Sequence, residues 1–370
     1  MPIKSALYSA MIIAAFCCMF IFPSEILSAS KAGVLLWFNQ ILPTLFPFMA
    51  GVNILSGLGF INHAGRFFSP LMRPLFDVPG EGGFALAAGF SSGYPMGAKV
   101  TALLRETKVL TQTEAQRLVS FTNNSGPLFI LGAVGIGIFN SKEIGYFLLL
   151  IHYASAIFTG IIFRWYNINS GSESARQKSL KDISTLPQPL ESRSEPRQLG
   201  IILSQSVLSA MESMAIIGGL IIVFSVLTRC ISLLPIQSNY VLALTGAIEM
   251  TNGVNIAAGS GLMLKTQVII SGIFISFSGF SIHAQTASIL SRTDIKTSVY
   301  ILAKILQSFI TFILALVFYP QNLNQTISAA AIPNHYGIPA VWLAGIIAVF
   351  VAPGFISLCA GYVKRLATSR

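Results

Sequence analysis

The sequence predicts an all-α polytopic membrane protein arranged as an inverted repeat, each copy carrying a re-entrant helical hairpin and a broken transmembrane helix. Three observations lead there. The 370 residues are 54% hydrophobic and 10% charged, with a mean hydropathy of +0.72, a composition suited to lipid rather than water. Four apolar stretches are each interrupted near the middle by a short polar break. The basic residues fall alternately rich and poor between the apolar runs, as loops on the two sides of a membrane do.

Bilayer crossing takes about 20 apolar residues, and that window gives full spans near 5–23, 33–57, 116–139, 144–165, 212–234, 268–290, 298–319 and 339–363. Lys4 followed by an apolar run from Ala6 to Phe22 reads as a retained first helix, with a signal peptide as the alternative. Two further apolar stretches, 84–104 and 240–259, carry their breaks so centrally that each half is only about 15 Å of helix. Such halves suit hairpins whose tips reach the middle of the bilayer.

With the N-terminus inside, the cytoplasmic segments collect Lys4, Arg66, Arg73, Arg105, Lys108, Arg117, the basic residues from Arg164 to Arg197, Arg292, Lys296, Lys364, Arg365 and Arg370. The outer segments hold Lys31, Lys142, Arg229 and Lys265, and 320–338 has no Asp, Glu, Lys or Arg. Both termini are thus expected in the cytoplasm. The first hairpin then enters from the cytoplasm and the second from outside, so the two copies are inserted in opposite senses.

The expected organisation is an N-terminal transmembrane helix over 1–30, a first repeat over 31–165 with hairpin 84–104 and broken helix 116–139, and a polar linker over 166–198. A second repeat over 199–319 follows, with hairpin 240–259 and broken helix 268–290, and then an external loop and C-terminal helix over 320–370. The linker is rich in Ser, Gln and Pro with both signs of charge. Leu199 to Met211 and Ile61 to Phe76 have helical spacing and read as interfacial helices.

The breaks carry the chemistry. Ser91-Ser92-Gly93-Tyr94-Pro95 and Asn123-Asn124-Ser125-Gly126-Pro127 in the first half are answered by Glu249-Met250-Thr251-Asn252-Gly253 and Ser278-Gly279-Phe280-Ser281 in the second. Hydrocarbon cannot satisfy freed N–H and C=O groups, so unwound backbone belongs against an enclosed cavity. Pro95 and Pro127 restart helices, and a restarted helix points free N–H groups and a positive dipole end at an anion. A plain kink satisfied by Ser and Asn is the bland reading of any one break; four in corresponding places favour a binding site.

Candidate substrate-binding residues are Ser92, Gly93, Tyr94, Pro95, Lys99, Asn123, Asn124, Ser125, Glu249, Thr251, Asn252, Ser278, Gly279, Ser281, His283 and Gln285. Lys99, about one turn beyond Pro95, either neutralises an anion or snorkels to the interface. Glu249 is the acid set deepest in an apolar run; it binds a coupling cation or proton, or pairs with a base such as Lys99. His152 reads as a packed or hydrogen-bonded helix residue.

Other classes are disfavoured. The net charge of +10 is scattered between spans without aromatic interleaving, which argues against nucleic acid. Cys17, Cys18, Cys230 and Cys359 lie in or beside apolar runs without metal-ligand spacing. Neither a metal site nor a cofactor is expected beyond a coupling ion. No nucleophile stands beside a base and an orienting partner, so catalysis is not expected. The bilayer and a small anionic metabolite are the expected partners, and a homo-oligomer stays open.

Gly93-Tyr94-Pro95-Met96-Gly97-Ala98-Lys99, Glu114-Ala115-Gln116-Arg117-Leu118 continuing to Asn123-Asn124-Ser125-Gly126-Pro127-Leu128-Phe129, Glu249-Met250-Thr251-Asn252-Gly253 and Ser278-Gly279-Phe280-Ser281-Ile282-His283-Ala284-Gln285 together resemble the sporulation integral membrane protein family of the YlbJ/SpoVV type. The likeness spans roughly 30–320. More distantly, the chain is similar to the nucleoside-recognition Gate domain shared with concentrative nucleoside transporters. The resemblance implies two hairpins and two broken helices around a substrate at mid-membrane, and export of dipicolinic acid from the mother cell across the outer forespore membrane during sporulation. Nucleosides or other small polar metabolites are the alternative cargo, and a membrane interaction or signalling role without transport is the alternative class.

Overall fold

Every regular element among the described residues is helical; in this computed structural model those residues are 17–58, 60–166, 199–233, 238–320 and 323. Most of the first expected span, the linker and the C-terminal helix lie outside them.

The chain enters α1 (Pro23–Leu36), passes a widened π-type turn at Trp37–Ile41, and continues as α2 (Leu42–Gly57). Pro43 lies just after that turn and has no N–H to give the preceding carbonyls, so the turn opens there. This run lies antiparallel to α8 (Leu199–Ser232). Gly33 sits beside Ser225, Trp37 Nε1 donates to Met214 O at 3.0 Å, and Asn53 Nδ2 donates to Ser206 O at 3.1 Å. Arg229 and Glu25 pair at one end. The expected interfacial helix at 199–211 is therefore the first third of one 34-residue helix. No Gly or Pro after Gly200 interrupts it before Gly218, and at about 51 Å it exceeds a hydrocarbon core of about 30 Å.

The amphipathic α3 (Phe60–Phe76) leads to α4 (Gly82–Ser92) and α5 (Met96–Glu106), which pack against each other across Gly93-Tyr94-Pro95. Helix α6 (Gln112–Thr122) starts with a reciprocal cap, in which Thr111 Oγ1 accepts from Glu114 N and Glu114 Oε2 accepts from Thr111 N. It stops at Asn123, and a π-type helix, Leu128–Ile138, follows the interruption. Helix α7 (Lys142–Phe163) is capped by Ser141.

In the second half α9 (Ser238–Ile248) and α10 (Met250–Ala258) meet at Glu249 and fold back so that Gly246 and Gly253 touch. Helices α11 (Leu264–Phe277) and α12 (Gly279–Leu290) are separated by a break at Ser278, and α13 (Thr297–Phe318) closes the described bundle.

Among the described residues, four helical stretches are long and apolar enough to cross a membrane: Lys142–Phe163, Leu199–Ser232, Leu264–Leu290 and Thr297–Phe318. Helix α13 shows which solvent it faces. Tyr300, Lys304, Gln307 and Thr311, spaced by turns along one face, are buried, while Leu302, Ile305, Phe309, Ile313 and Leu316 are exposed. In water that pattern would be inside out; lipid makes it favourable, because the polar groups bond one another and the apolar ones meet hydrocarbon.

Candidate functional site

The four interruptions lie against one another. Gly93 has φ +88°, a left-handed conformation that favours glycine, and a Cβ there would come within 2.5 Å of Gly126 N. Only a bare backbone lets the α4–α5 turn rest on the unwound segment after α6. Gly279 repeats the arrangement in the second half, with φ +71° and a would-be Cβ 3.1 Å from both Ile248 O and Met250 N.

Side chains then join the two halves. Tyr94 OH lies 2.7 Å from Ser278 Oγ and donates to Ile275 O at 2.9 Å. Asn123 Nδ2 donates to Thr286 Oγ1 and to Tyr300 OH, both at 2.9 Å. The Ser125 hydroxyl reaches Met250 Sδ at 3.9 Å. Asn123, Asn124, Ser125, Ser278, Ser281, His283 and Gln285 are all buried.

The unwound strand is pinned by α7 and α13. Ser125 N donates to His152 Nε2 at 3.2 Å, which makes Nδ1 the protonated nitrogen facing Ser276 Oγ at 2.9 Å. Ser276 continues to Thr311 and Thr311 to Ser155, at 2.7 and 2.8 Å. His152 is thus a hydrogen-bonded helix residue that holds the break from behind.

Lys304 is the group for which the breaks give no warning. Its side chain is 0% exposed, and Nζ donates to Asn124 Oδ1 at 3.0 Å and Gln307 Oε1 at 2.8 Å. Gln307 Nε2 also donates to Asn124 Oδ1, at 3.1 Å. The ion pairs among the described residues belong to Arg105, Arg117, Arg229 and Arg292. Lys304 therefore sits at the breaks with amide oxygens for partners and no carboxylate. Its sequence signal is that it is the sole charged residue in the apolar run 297–318. Tyr300 and Gln307 follow from the same helix face.

Other expected residues point elsewhere. Lys99 Nζ donates to Ser213 Oγ on α8 at 2.9 Å. The Glu249 carboxylate caps α10, accepting from Thr251 N at 3.1 Å and Asn252 N at 2.7 Å. These two charges are engaged separately rather than with each other. Ser92 Oγ bonds back to Ala88 O of its own helix at 2.9 Å. Pro95 follows a cis peptide bond at the α4–α5 turn. Among the described residues no group of three His, Cys, Asp or Glu is placed to hold a metal ion.

One end of the site is tied by a second, solvent-side cluster. Arg105 grips Asp294 through Nε and Nη2, each at 2.8 Å, and Gln112 Nε2 donates to Asp294 O at 2.7 Å. Gln116 and the backbone of Lys296 exchange two bonds, at 3.1 and 2.8 Å. Hydrogen bonds from Arg105, reinforced by its charge, hold the Asp294 carboxyl below the usual carboxylate range. The α5–α6 corner is thereby fixed to the turn between α12 and α13.

Interrupted apolar helices around a buried polar centre define an integral membrane protein. Residues 38–164 match the family model described as Gate, nucleoside recognition. The sporulation integral membrane protein YlbJ of Bacillus subtilis (strain 168) is 36% identical over 308 residues, covering 77% of this chain and 75% of that protein. No solved structure matches the chain. By that identity and coverage, the chain belongs to the YlbJ family of sporulation integral membrane proteins.

Proposed function

We propose that the chain is a transporter that moves a small anionic metabolite by alternating access, and that its substrate is dipicolinic acid, carried from the mother cell towards the forespore across the outer forespore membrane. The carrying observation is Lys304, a fully buried amine bonded to neutral amides where the helix breaks meet. A buried charge without a counter-ion costs several kcal/mol, and a solute carboxylate removes that cost while being desolvated itself. Dipicolinate, a planar pyridine with two carboxylates, matches the charge, and the relative's sporulation role points the same way.

The mechanism proposed is that two oppositely inserted copies, 31–165 and 199–319, form one inverted repeat whose hairpins and broken helices move together past α1, α2 and α8. In support, the α4–α5 turn contacts the break after α6 through Gly93 and Gly126, and the α9–α10 turn contacts the break before α12 through Glu249 and Gly279. The Arg105–Asp294 cluster and the Asn123 bonds to α12 and α13 hold the copies at two levels, as a unit that travels whole requires.

The test is tracer flux in proteoliposomes with dipicolinate, other mono- and dicarboxylates and uridine, with and without proton and sodium gradients. Saturable dipicolinate flux supports the reading, the gradient arms report whether a proton or sodium ion is coupled, and loss of that dependence in Glu249→Gln would assign the coupling to Glu249. Flux of uridine with none of any anion would replace it with a nucleoside carrier, the reading favoured by the Gate match. Absence of flux for the whole panel would favour a non-transporting role.

A further inference from the structure

One side chain in the buried centre is under-bonded. His283 on α12 is 3% exposed, yet neither Nδ1 nor Nε2 makes a hydrogen bond of standard geometry, although the Phe277 backbone stands near enough to act on the ring. Buried polar groups are almost always bonded, so an orphaned imidazole marks a place where something else binds. Its ring is held edge-on by Phe277, Phe280 and Tyr300, with centroids 4.9, 6.0 and 5.5 Å away. Ring packing therefore orients it, and at least one nitrogen is uncommitted.

The same Tyr300 ring bears on Lys304, whose Nζ lies 5.8 Å from the ring centroid. Tyr300 is fixed in turn, since its hydroxyl accepts from Asn123. An ammonium has three donors, and two are used by Asn124 and Gln307. Against one immobile aromatic ring there are thus two unmet demands: a positive charge without an anion and an imidazole with an uncommitted nitrogen. Two polar groups beside one aromatic ring suit a solute with a rigid frame and more than one acceptor.

We propose that Lys304 and His283 form the solute subsite, with Lys304 balancing a carboxylate and His283 donating an N–H to a second acceptor of the same small, rigid carboxylate. The subsite rests on the transport reading above and assigns its binding groups. Lys304 discriminates by charge, whereas His283 discriminates by hydrogen bonding and is indifferent to charge.

The experiment is equilibrium binding to the full chain in lipid nanodiscs, using pyridine-2,6-dicarboxylate and its neutral dicarboxamide as probes. Replacing a charge-assisted contact, Lys304→Gln weakens the dicarboxylate by about 30-fold or more and spares the dicarboxamide. His283→Phe keeps an aromatic ring but removes the N–H, and weakens both probes by about tenfold. His283→Gln, which restores a donor, recovers part of that loss. In the wild type, saturating dicarboxylate shifts the ring 15N resonances of His283, assigned with His283→Gln, whatever the folding of the variants. Wild-type binding of dicarboxylate with His283 resonances unmoved, or with His283→Phe within about twofold of wild type, would overturn the subsite and leave the transport reading standing. Failure of the wild type to bind any small anion would overturn both.

Discussion

Lys304 Nζ lies 3.0 Å from Asn124 Oδ1, joining residues 180 positions apart in the chain. Asn124 belongs to the unwound segment between α6 and the helix at Leu128–Ile138, and Lys304 to the buried polar face of an uninterrupted helix whose opposite face is exposed and apolar. The bond places a positive charge at the point where the backbone is least regular. A side chain on a regular helix is thereby bonded directly to the unwound segment.

Replacing Lys304 separates function from stability. Lys304→Met removes an uncompensated buried amine, and Asn124 Oδ1 keeps its bond from Gln307. Gln307 Oε1 loses a donor, a cost of about 1–3 kcal/mol, offset by relief of the charge burial. The expected result is a thermal unfolding midpoint in detergent within a few degrees of wild type, with anion flux abolished. A large fall in the midpoint would make Lys304 a structural residue.

The two glycines at the breaks respond differently from a glycine in a helix. Gly93→Ala and Gly279→Ala force a Cβ into a left-handed residue pressed on backbone, and each is expected to cost at least about 1–2 kcal/mol. Gly51→Ala lies within α2 with nothing within 4 Å of the new Cβ and is expected to gain about 0.5–1 kcal/mol. Unfolding midpoints of the three variants check both signs.

The Arg105–Asp294 pair predicts a pH response at the solvent side. Because folding lowers the Asp294 pKa, the pair's contribution is present above the ordinary carboxylate pKa of about 4 and is lost as pH falls through the lowered value. Hydrogen exchange of backbone amides in 291–296, corrected for intrinsic rates, is expected to accelerate on acidification below about pH 4, and in Asp294→Asn to be fast at every pH. Acid-insensitive protection in the wild type would show that Gln116 and Gln112 alone hold the turn.

The positions where helices stop were legible because Gly, Pro and Asn side by side in an apolar run leave backbone groups that lipid cannot satisfy. The helices end at Ser92, Thr122, Ile248 and Phe277, within the polar breaks or immediately beside them. What the breaks touch was not legible, since Asn123 meeting Thr286 and Tyr300 is a matter of tertiary packing. Lys99 drew attention by its closeness to Pro95, yet its long side chain leads to Ser213 on α8. Lys304 was readable in principle, as a lone charge in a span, but it lies in a helix without a break. The widened helix at Leu128–Ile138 is apolar on every side, so no periodicity announces its pitch.

The most direct test of the central claim, that the breaks of the two halves meet inside the membrane, is cross-linking of Ser125→Cys with Met250→Cys in a background freed of Cys17, Cys18, Cys230 and Cys359. The parent side chains are 3.9 Å apart, Ser125 in the interruption after α6 and Met250 at the start of α10, in different halves of the chain. The account predicts rapid, near-complete closure by the shortest bifunctional thiol reagent in native membranes, with flux blocked until the link is cleaved. Two cysteines that stay unlinked while each remains separately reactive would contradict it.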